Sequence, residues 1–269
     1  VAAGTGGKVA LVTGAGMGIG RGVARRLARE GMRLLLADRD AGAGQDCAGQ
    51  IRRDFGTEVE FVHADVTLRA EVEAMVQAAL ARWGTVHVLV NNAWGRRPGA
   101  GGLGPVEERG DADVEHAFRI GAQAALWAMQ AAFPAMRAQR WGRVVNMCSL
   151  NGVNAHPWTL EYNMAKEALR TLTRTAAREW APWGICCNAV CPGAATEAYR
   201  SFAAARPESA AAMLKLNPMG RMGDPEEDIG AVVLFLASEE SRYLTGNTLF
   251  VDGGSHINGV PWVPELRAS

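Results

Sequence analysis

A serine, a tyrosine and a lysine within Ser149 to Lys166, SLNGVNAHPWTLEYNMAK, stand at spacings that suit proton transfer. If Tyr162 opens a helix, Lys166 falls at i+4, so ammonium and phenol share a face. A free phenol titrates at about 10, and a fixed cation within a few Å would favour phenolate and draw that value toward neutral. Ser149, thirteen residues upstream at the end of a strand-like run, could hold a substrate oxygen against the phenol. Tyr-x-x-x-Lys alone is common on solvated helix faces, so its meaning rests on the elements that carry it.

Those elements alternate. Lys8 to Thr13 is a short β-branched run, followed by GAGMGIG and then a helical pattern closing at Gly31. In such a strand, glycine turn and helix, Gly14 permits the turn, Gly18 admits a pyrophosphate, and Gly20 allows close packing, while the helix N-terminus offers amide donors. Arg33 to Ala37 is a second strand ending in Asp38, whose carboxylate suits the ribose hydroxyls of NAD and repels the extra phosphate of NADP. Arg39 and Arg21 could neutralise such a phosphate, but position 17 in the glycine turn is Met17 rather than a basic residue, which favours NAD.

Further strands are read at Val59 to His63, with Asp65-Val66 at its carboxyl end, and at Val86 to Val90, followed by Asn91 and NAW. A helix from Arg69 to Trp83 ends at Gly84. Asn91 could hold backbone and adenosine-side groups or simply form a strand-ending turn. Gly95 to Gly110 is a Gly- and Pro-rich loop expected to wall the substrate mouth. Asp111 to Gln139 reads as one long helix kinked late by Pro134. Arg143 to Cys148 is a strand that delivers Ser149, Ile185 to Cys191 another, and Thr248 to Val251 the last. Ala194 to Gly223 has the composition of small helices forming a lid, and Pro225 to Ala237 a final helix. The pattern predicts an α/β fold: a doubly wound seven-stranded parallel sheet in three α/β/α layers, as a single domain over 1–269.

Composition narrows the partners. Lys plus Arg and Asp plus Glu are 28 each, so no global field attracts nucleic acid or an anionic membrane. Five cysteines without a Cys-x-x-Cys pair read as reduced core residues, and scattered histidines predict no metal site. No run approaches a membrane span, and the start lacks the order of a signal peptide, so a cytoplasmic location is expected.

The order and spacing of these motifs resemble the short-chain dehydrogenase/reductase family from Lys8 to Ser255. TGAGMGIG resembles its TGxxxGxG cofactor turn, NNAW its NNAG, and Ser149, Tyr162 and Lys166 its catalytic serine and YxxxK. Pro192-Gly193 and Asp252-Gly253-Gly254 match as well. The resemblance implies a Rossmann fold, usually a homotetramer or dimer, with a cofactor site drawing also on Ile19, Asp65, Val66 and Ala93. It implies that Tyr162 exchanges a proton with the substrate oxygen, that Lys166 lowers the phenol's pKa and holds the nicotinamide ribose, and that Ser149 binds the same oxygen.

Three positions depart from the family. Gly121 stands where a fourth catalytic residue, an asparagine, is expected; glycine could leave room for water, so Gly121→Asn is expected to leave activity intact or raise it. Thr196 falls one position before the family's nicotinamide-contacting threonine, where Glu197 stands. Trp94 replaces the glycine of NNAG, and with Trp158 it suggests an aromatic-walled site, although each tryptophan also fits core packing. The expected activity is NAD-dependent interconversion of a secondary alcohol of moderate size and its ketone. Candidate substrate contacts are Trp94, Asn151, Asn154, His156, Trp158, Leu160, Tyr199 and Phe202. Alternatives are an NADPH-dependent ketone reductase, a lyase or epimerase of the same fold, and a non-catalytic binding protein. The tail from His256 to Ser269 runs past the resemblance and either reaches a neighbouring subunit or frays.

Overall fold

The computed structural model describes residues 4–100 and 102–257, so most of the C-terminal tail lies outside the described residues. Seven short apolar runs become strands: β1 (Val9–Thr13), β2 (Arg33–Asp38), β3 (Val59–His63), β4 (Val88–Asn91), β5 (Gly142–Met147), β6 (Ile185–Pro192) and β7 (Thr248–Val251). They form one sheet in the order β3-β2-β1-β4-β5-β6-β7, every neighbouring pair parallel. The order reverses between β1 and β4, whose register pairs Val12 with Val90. At such a switch point the strand ends diverge and leave a crevice beyond their carboxyl edge.

Alternation along each strand sends side chains to two helical layers. Ala10, Val12, Leu34 and Leu36 face α1 (Gly18–Arg29), α2 (Ala41–Phe55) and α10 (Gly230–Leu236), and share a core with Leu27, Ile51 and Val233. Leu11, Leu35, Leu89 and Val144 face α3 (Arg69–Trp83), α5 (Ala124–Ala138) and α7 (Leu160–Trp180), sharing a core with Met75, Met129 and Ala177. The remaining helices are α4 (Asp111–Phe118), α6 (Leu150–Val153), α8 (Glu197–Ala205) and α9 (Pro207–Lys215). Complete burial of a side chain such as Leu27 contributes about 1.5–3 kcal/mol, so both layers are held by many equivalent contacts rather than by a few.

Two differences from the sequence reading have physical causes. Helix α2 has no strong apolar stripe: it buries Gly44, Cys47, Ala48 and Ile51, small residues at helical spacing, and Gly44 lies so close to Phe61 that a Cβ would stand 2.0 Å from the ring. The segment Asp111 to Gln139 is not one helix kinked at Pro134. Its break is a π-turn over Arg119–Gln123, where the Ala124 amide donates to the Arg119 carbonyl, while Pro134 sits inside α5. Gly121 is in the middle of that turn, and its surroundings explain the break below.

Candidate active site

The carboxyl edge of β1 opens directly into the glycine turn. Gly14 has φ of 64° and stands where a Cβ would come 2.8 Å from the Ala93 Cα. At Gly20 a Cβ would lie 2.0 Å from the Gly14 carbonyl oxygen, so only glycine lets α1 start this close to the strand. Met17 precedes α1 and provides no side-chain cap, which leaves the first-turn amides available to an anion.

Asn92 braces the turn: its amide donates to the carbonyls of Thr13 at 2.9 Å and Gly14 at 3.0 Å. Asn91, beside it, uses its side chain differently. Neighbouring residues at a strand end point to opposite sides, and the Asn91 side chain turns inward, donating to Asn146 Oδ1 at 2.8 Å. Asp38 closes the other side. One carboxylate oxygen accepts from the Gly16 amide at 2.8 Å and the other from the Asp40 amide at 2.9 Å.

Beyond these residues runs a cleft of about 550 Å³, lined by Gly14, Gly18 and Ile19 at one end and by Asp38, Arg39, Asp65 and Val66 on the β2–β3 side. Ala93, Tyr162, Lys166, Pro192 and Thr196 line it further along. The Asp65 carboxylate is held by the amide and hydroxyl of Thr67. Thr196 caps α8 by accepting from the Tyr199 amide at 3.2 Å. Gly193 packs against Asp252 in the turn after β6, where a Cβ would lie 3.1 Å from the Asp252 Cα. Glu197 lines the cleft beside Thr196, and a Cβ on Gly18 would lie 3.5 Å from its carboxylate, so the segment after β6 folds back over the glycine turn. Free amides at a helix end, a turn with no room for side chains and a carboxylate one strand away fit a dinucleotide.

Strand β5 ends at Met147, and Ser149 caps α6, its hydroxyl accepting from the Asn151 amide at 3.2 Å. Helix α7 begins two residues before Tyr162, so Tyr162 and Lys166 sit one turn apart on the face turned to β5. Ser149 and Tyr162 are joined by a side-chain hydrogen bond. Lys166 is 4% exposed and its Nζ donates to the Met147 carbonyl at 2.7 Å.

At the phenol, burial outweighs the neighbouring cation. Burial pushes the Tyr162 phenol up, and the hydrogen bond with Ser149 opposes that rise. Burial likewise pushes the Lys166 ammonium down. Lys166 is buried and Tyr162 partly buried, so each resists ionisation, and the ammonium is turned toward Met147, 5.7 Å from the phenol ring centre.

A second cavity of about 530 Å³ adjoins the cleft, and Trp94, Tyr162 and Ala198 line both. Asn151, His156, Tyr199 and Phe202 line this cavity as the sequence suggested, and Leu103, Ala117 and Met213 add apolar wall. Asn154 and Trp158 do not line it. Trp158 has φ of +67° and 54% exposure, and its carbonyl accepts from the Gly104 amide at 3.2 Å, so its backbone ties down the loop while its ring faces solvent. The loop after β4 supplies Gly95, Arg96, Arg97 and Ala100, and is fastened to α4 by Arg97–Asp113 at 2.8 Å.

Glu161 was not singled out by the sequence. It lines the cavity, and its Oε2 is buried without a hydrogen-bond partner. Its only sequence signal is adjacency to Tyr162. Asn92 and His116, whose Nε2 lies 3.1 Å from the Gly95 carbonyl, were also missed, because their partners are distant along the chain. All five cysteines are free and buried, consistent with core residues, and burial pushes Cys148 up to about 12, which keeps that neighbour of Ser149 a neutral thiol.

Comparison with known proteins agrees with this geometry. Residues 14–256 match the family model described as enoyl-(acyl carrier protein) reductase. The chain is 35% identical over 254 residues to a 12alpha-hydroxysteroid dehydrogenase from a Clostridium species, covering 92% of this chain and 96% of the relative. It is 37% identical over 252 residues to galactitol 2-dehydrogenase (L-tagatose-forming) of Cereibacter sphaeroides, covering 92% and 94%. Among solved structures, levodione reductase superposes with a TM-score of 0.86 at 32% identity, over 93% of this chain and 98% of that one. NAD+-bound xylitol dehydrogenase gives 0.85 at 32% identity, over 93% and 100%. A parallel sheet with a dinucleotide crevice, a Ser-Tyr-Lys set at its carboxyl edge and relatives aligned over nearly their whole length lead to one assignment: the chain belongs to the short-chain dehydrogenase/reductase family and is an NAD(P)-dependent oxidoreductase.

Proposed function

We propose that the protein interconverts a secondary alcohol and a ketone by hydride transfer with NAD, with Tyr162 as the acid/base. The observation that carries this reading is the position of Tyr162: its side chain lines both the dinucleotide cleft and the adjoining cavity, so its hydroxyl serves whatever oxygen lies between them. The nicotinamide, when bound, supplies or accepts the hydride.

The chain's own residues manage the proton and the oxygen. Tyr162 gives its proton to the ketone oxygen in reduction and takes the alcohol's proton in oxidation. Ser149, hydrogen-bonded to that phenol, donates to the same oxygen and holds it in line. Lys166, anchored on Met147, stands beside Tyr162 at the cleft, where its ammonium suits ribose hydroxyls and offsets negative charge developing on the phenol oxygen. Asp38 supports NAD over NADP, because both carboxylate oxygens are fixed toward the floor of the cleft by backbone amides.

The substrate cavity is walled mainly by Trp94, Leu103, Tyr199, Phe202 and Met213, which suits a largely hydrocarbon frame of moderate size. Phe118 on α4, Val153 on α6 and Met164 on α7 are large apolar side chains left exposed, which favours a homodimer or tetramer, and sedimentation would measure it. The test of function is a screen of secondary alcohols and ketones, cyclopentanol among them, with NAD and NADP forms, run beside Tyr162→Phe. Turnover with a preference for NAD that collapses in the variant is expected. Near-normal turnover in Tyr162→Phe would sink the mechanism.

A further inference from the structure

Gly121 and Trp94, two unusual residues far apart in sequence, meet in the fold. Gly121 lies in the middle of a helical segment, where glycine is entropically unfavourable, and its φ is not in the left-handed region that would demand it. The reason is steric. A Cβ there would stand 3.0 Å from Trp94 Cζ3 and 2.9 Å from the Ala165 Cβ, closer than side-chain carbons pack. The indole occupies the space a side chain at position 121 would need.

From that seat the indole reaches the catalytic pair. Its ring meets Tyr162 edge-on, with centres 4.6 Å apart and planes at 77°. Lys166 Nζ lies 5.2 Å from its centroid, within cation–π range. Trp94 also lines both the cleft and the substrate cavity, so it forms part of the partition between them. Ala165, which closes the far side of Gly121, immediately precedes Lys166 on α7.

We propose that Trp94 and Gly121 form one positioning unit: the glycine vacates a slot between α4–α5 and α7, and the indole seated in it braces the Tyr162 ring and keeps water from the phenol's flank. The two residues are therefore coupled through one contact. Besides the indole, Tyr162 has a hydrogen bond with Ser149, the thiols of Cys148 after β5 and Cys191 on β6 in electrostatic range, and Lys166 on its own helix 5.7 Å from its ring centre.

The chain has three tyrosines, so ring-fluorinated tyrosine gives three fluorine NMR signals, of which Tyr162→Phe identifies one. Trp94→Ala, Trp94→Phe, Gly121→Ala and the Trp94→Ala/Gly121→Ala double variant are compared with the parent by fluorine shift, titration of that shift with pH, and thermal unfolding. In Trp94→Ala the Tyr162 signal should move toward that of exposed Tyr243, and its titration midpoint should fall as water reaches the phenol. Trp94→Phe, whose smaller ring fills only part of the slot, should give a shift between those of the parent and Trp94→Ala. Gly121→Ala should reproduce the Trp94→Ala shift because its Cβ displaces the ring, and should add nothing once Trp94 is already alanine.

An unmoved Tyr162 signal and midpoint in folded Trp94→Ala or Trp94→Phe, with only the melting temperature lowered, would reduce Trp94 to ordinary packing. A Gly121→Ala effect of equal size with and without the indole would break the pair into two independent sites. Trp94→Phe serves where the alanine variant does not fold: a fluorine shift intermediate between parent and exposed tyrosine is then expected. The inference relies on Tyr162 as acid/base only for its catalytic meaning. An active Tyr162→Phe enzyme would reject that role while leaving the NMR result to judge the pair.

Discussion

Asp38 is the residue whose removal should most change cofactor choice. Its carboxylate already accepts from the Gly16 and Asp40 amides, one per oxygen, which leaves the outward lone pairs for the two hydroxyls of a ribose. Hydrogen bonds to a charged acceptor are worth about 1.5–3 kcal/mol each. Because the cleft is open to solvent, the lower value applies, and two such bonds come to about 3 kcal/mol, or about 150-fold in affinity. Asp38→Ala should weaken NAD by that factor.

The same change should strengthen NADP. A carboxylate about 4 Å from a phosphate is repelled by about 1 kcal/mol in water and about 4 kcal/mol near a protein surface, so its removal recovers at least about fivefold. Arg39, which lines the same cleft, is then a cation available to the phosphate. The NAD-to-NADP affinity ratio should therefore fall by about three orders of magnitude. Isothermal titration of both oxidised dinucleotides measures it, and Asp38→Asn, which keeps an acceptor for one backbone amide, should fall between. Thermal unfolding separates loss of the turn from loss of recognition. A folded Asp38→Ala protein with the parental ratio would refute the placement of the ribose.

Four further outcomes are expected. Tyr162→Phe should lower turnover by about 10²–10⁴-fold with dinucleotide affinity unchanged, checked by steady-state kinetics beside calorimetric titration. Gly121→Asn, harmless on sequence grounds, should instead lower both the melting temperature and activity, since even a Cβ meets Trp94 and Ala165; Trp94→Gly in the same chain should restore much of the loss. Gly22→Ala should cost about 1–3 kcal/mol in urea unfolding, because its Cβ would lie 2.4 Å from the Pro225 carbonyl carbon. His87 accepts from the Val9 amide at 3.0 Å, and burial beside Lys8 and Arg33 pushes it from 6.5 to about 4, so its neutral form is the folded one. Its contribution should be complete above the unfolded value of about 6.5 and decline by about 1–2 kcal/mol, after allowance for solvent screening, as pH falls toward 4. His87→Gln should flatten unfolding free energy over that window relative to the parent; an unchanged slope would show that His87 is not held neutral.

How much the sequence could say followed the range of the interaction. Strand runs, the glycine turn, the carboxylate after β2 and the tyrosine one turn before a lysine are local patterns, and backbone geometry converts them into structure almost without reference to neighbours. The seven strands and the end of α3 at Gly84 were legible for that reason. Helix α2 was not, because its buried face is made of small residues whose fit depends on Phe61 in β3.

The tertiary structure alone decided the rest. Which of two adjacent asparagines braces the glycine turn depends on the direction of a strand end. The direction of the Tyr162 shift depends on how much water reaches it, and the spacing to Lys166 could not reveal that. The oxygen of Glu161 left without a partner, and the indole of Trp94 seated where Gly121 has no side chain, are relations between segments that only packing brings together. The chain's local order determined the chemistry it carries, whereas the shape and dryness around that chemistry arose from contacts between residues remote in sequence.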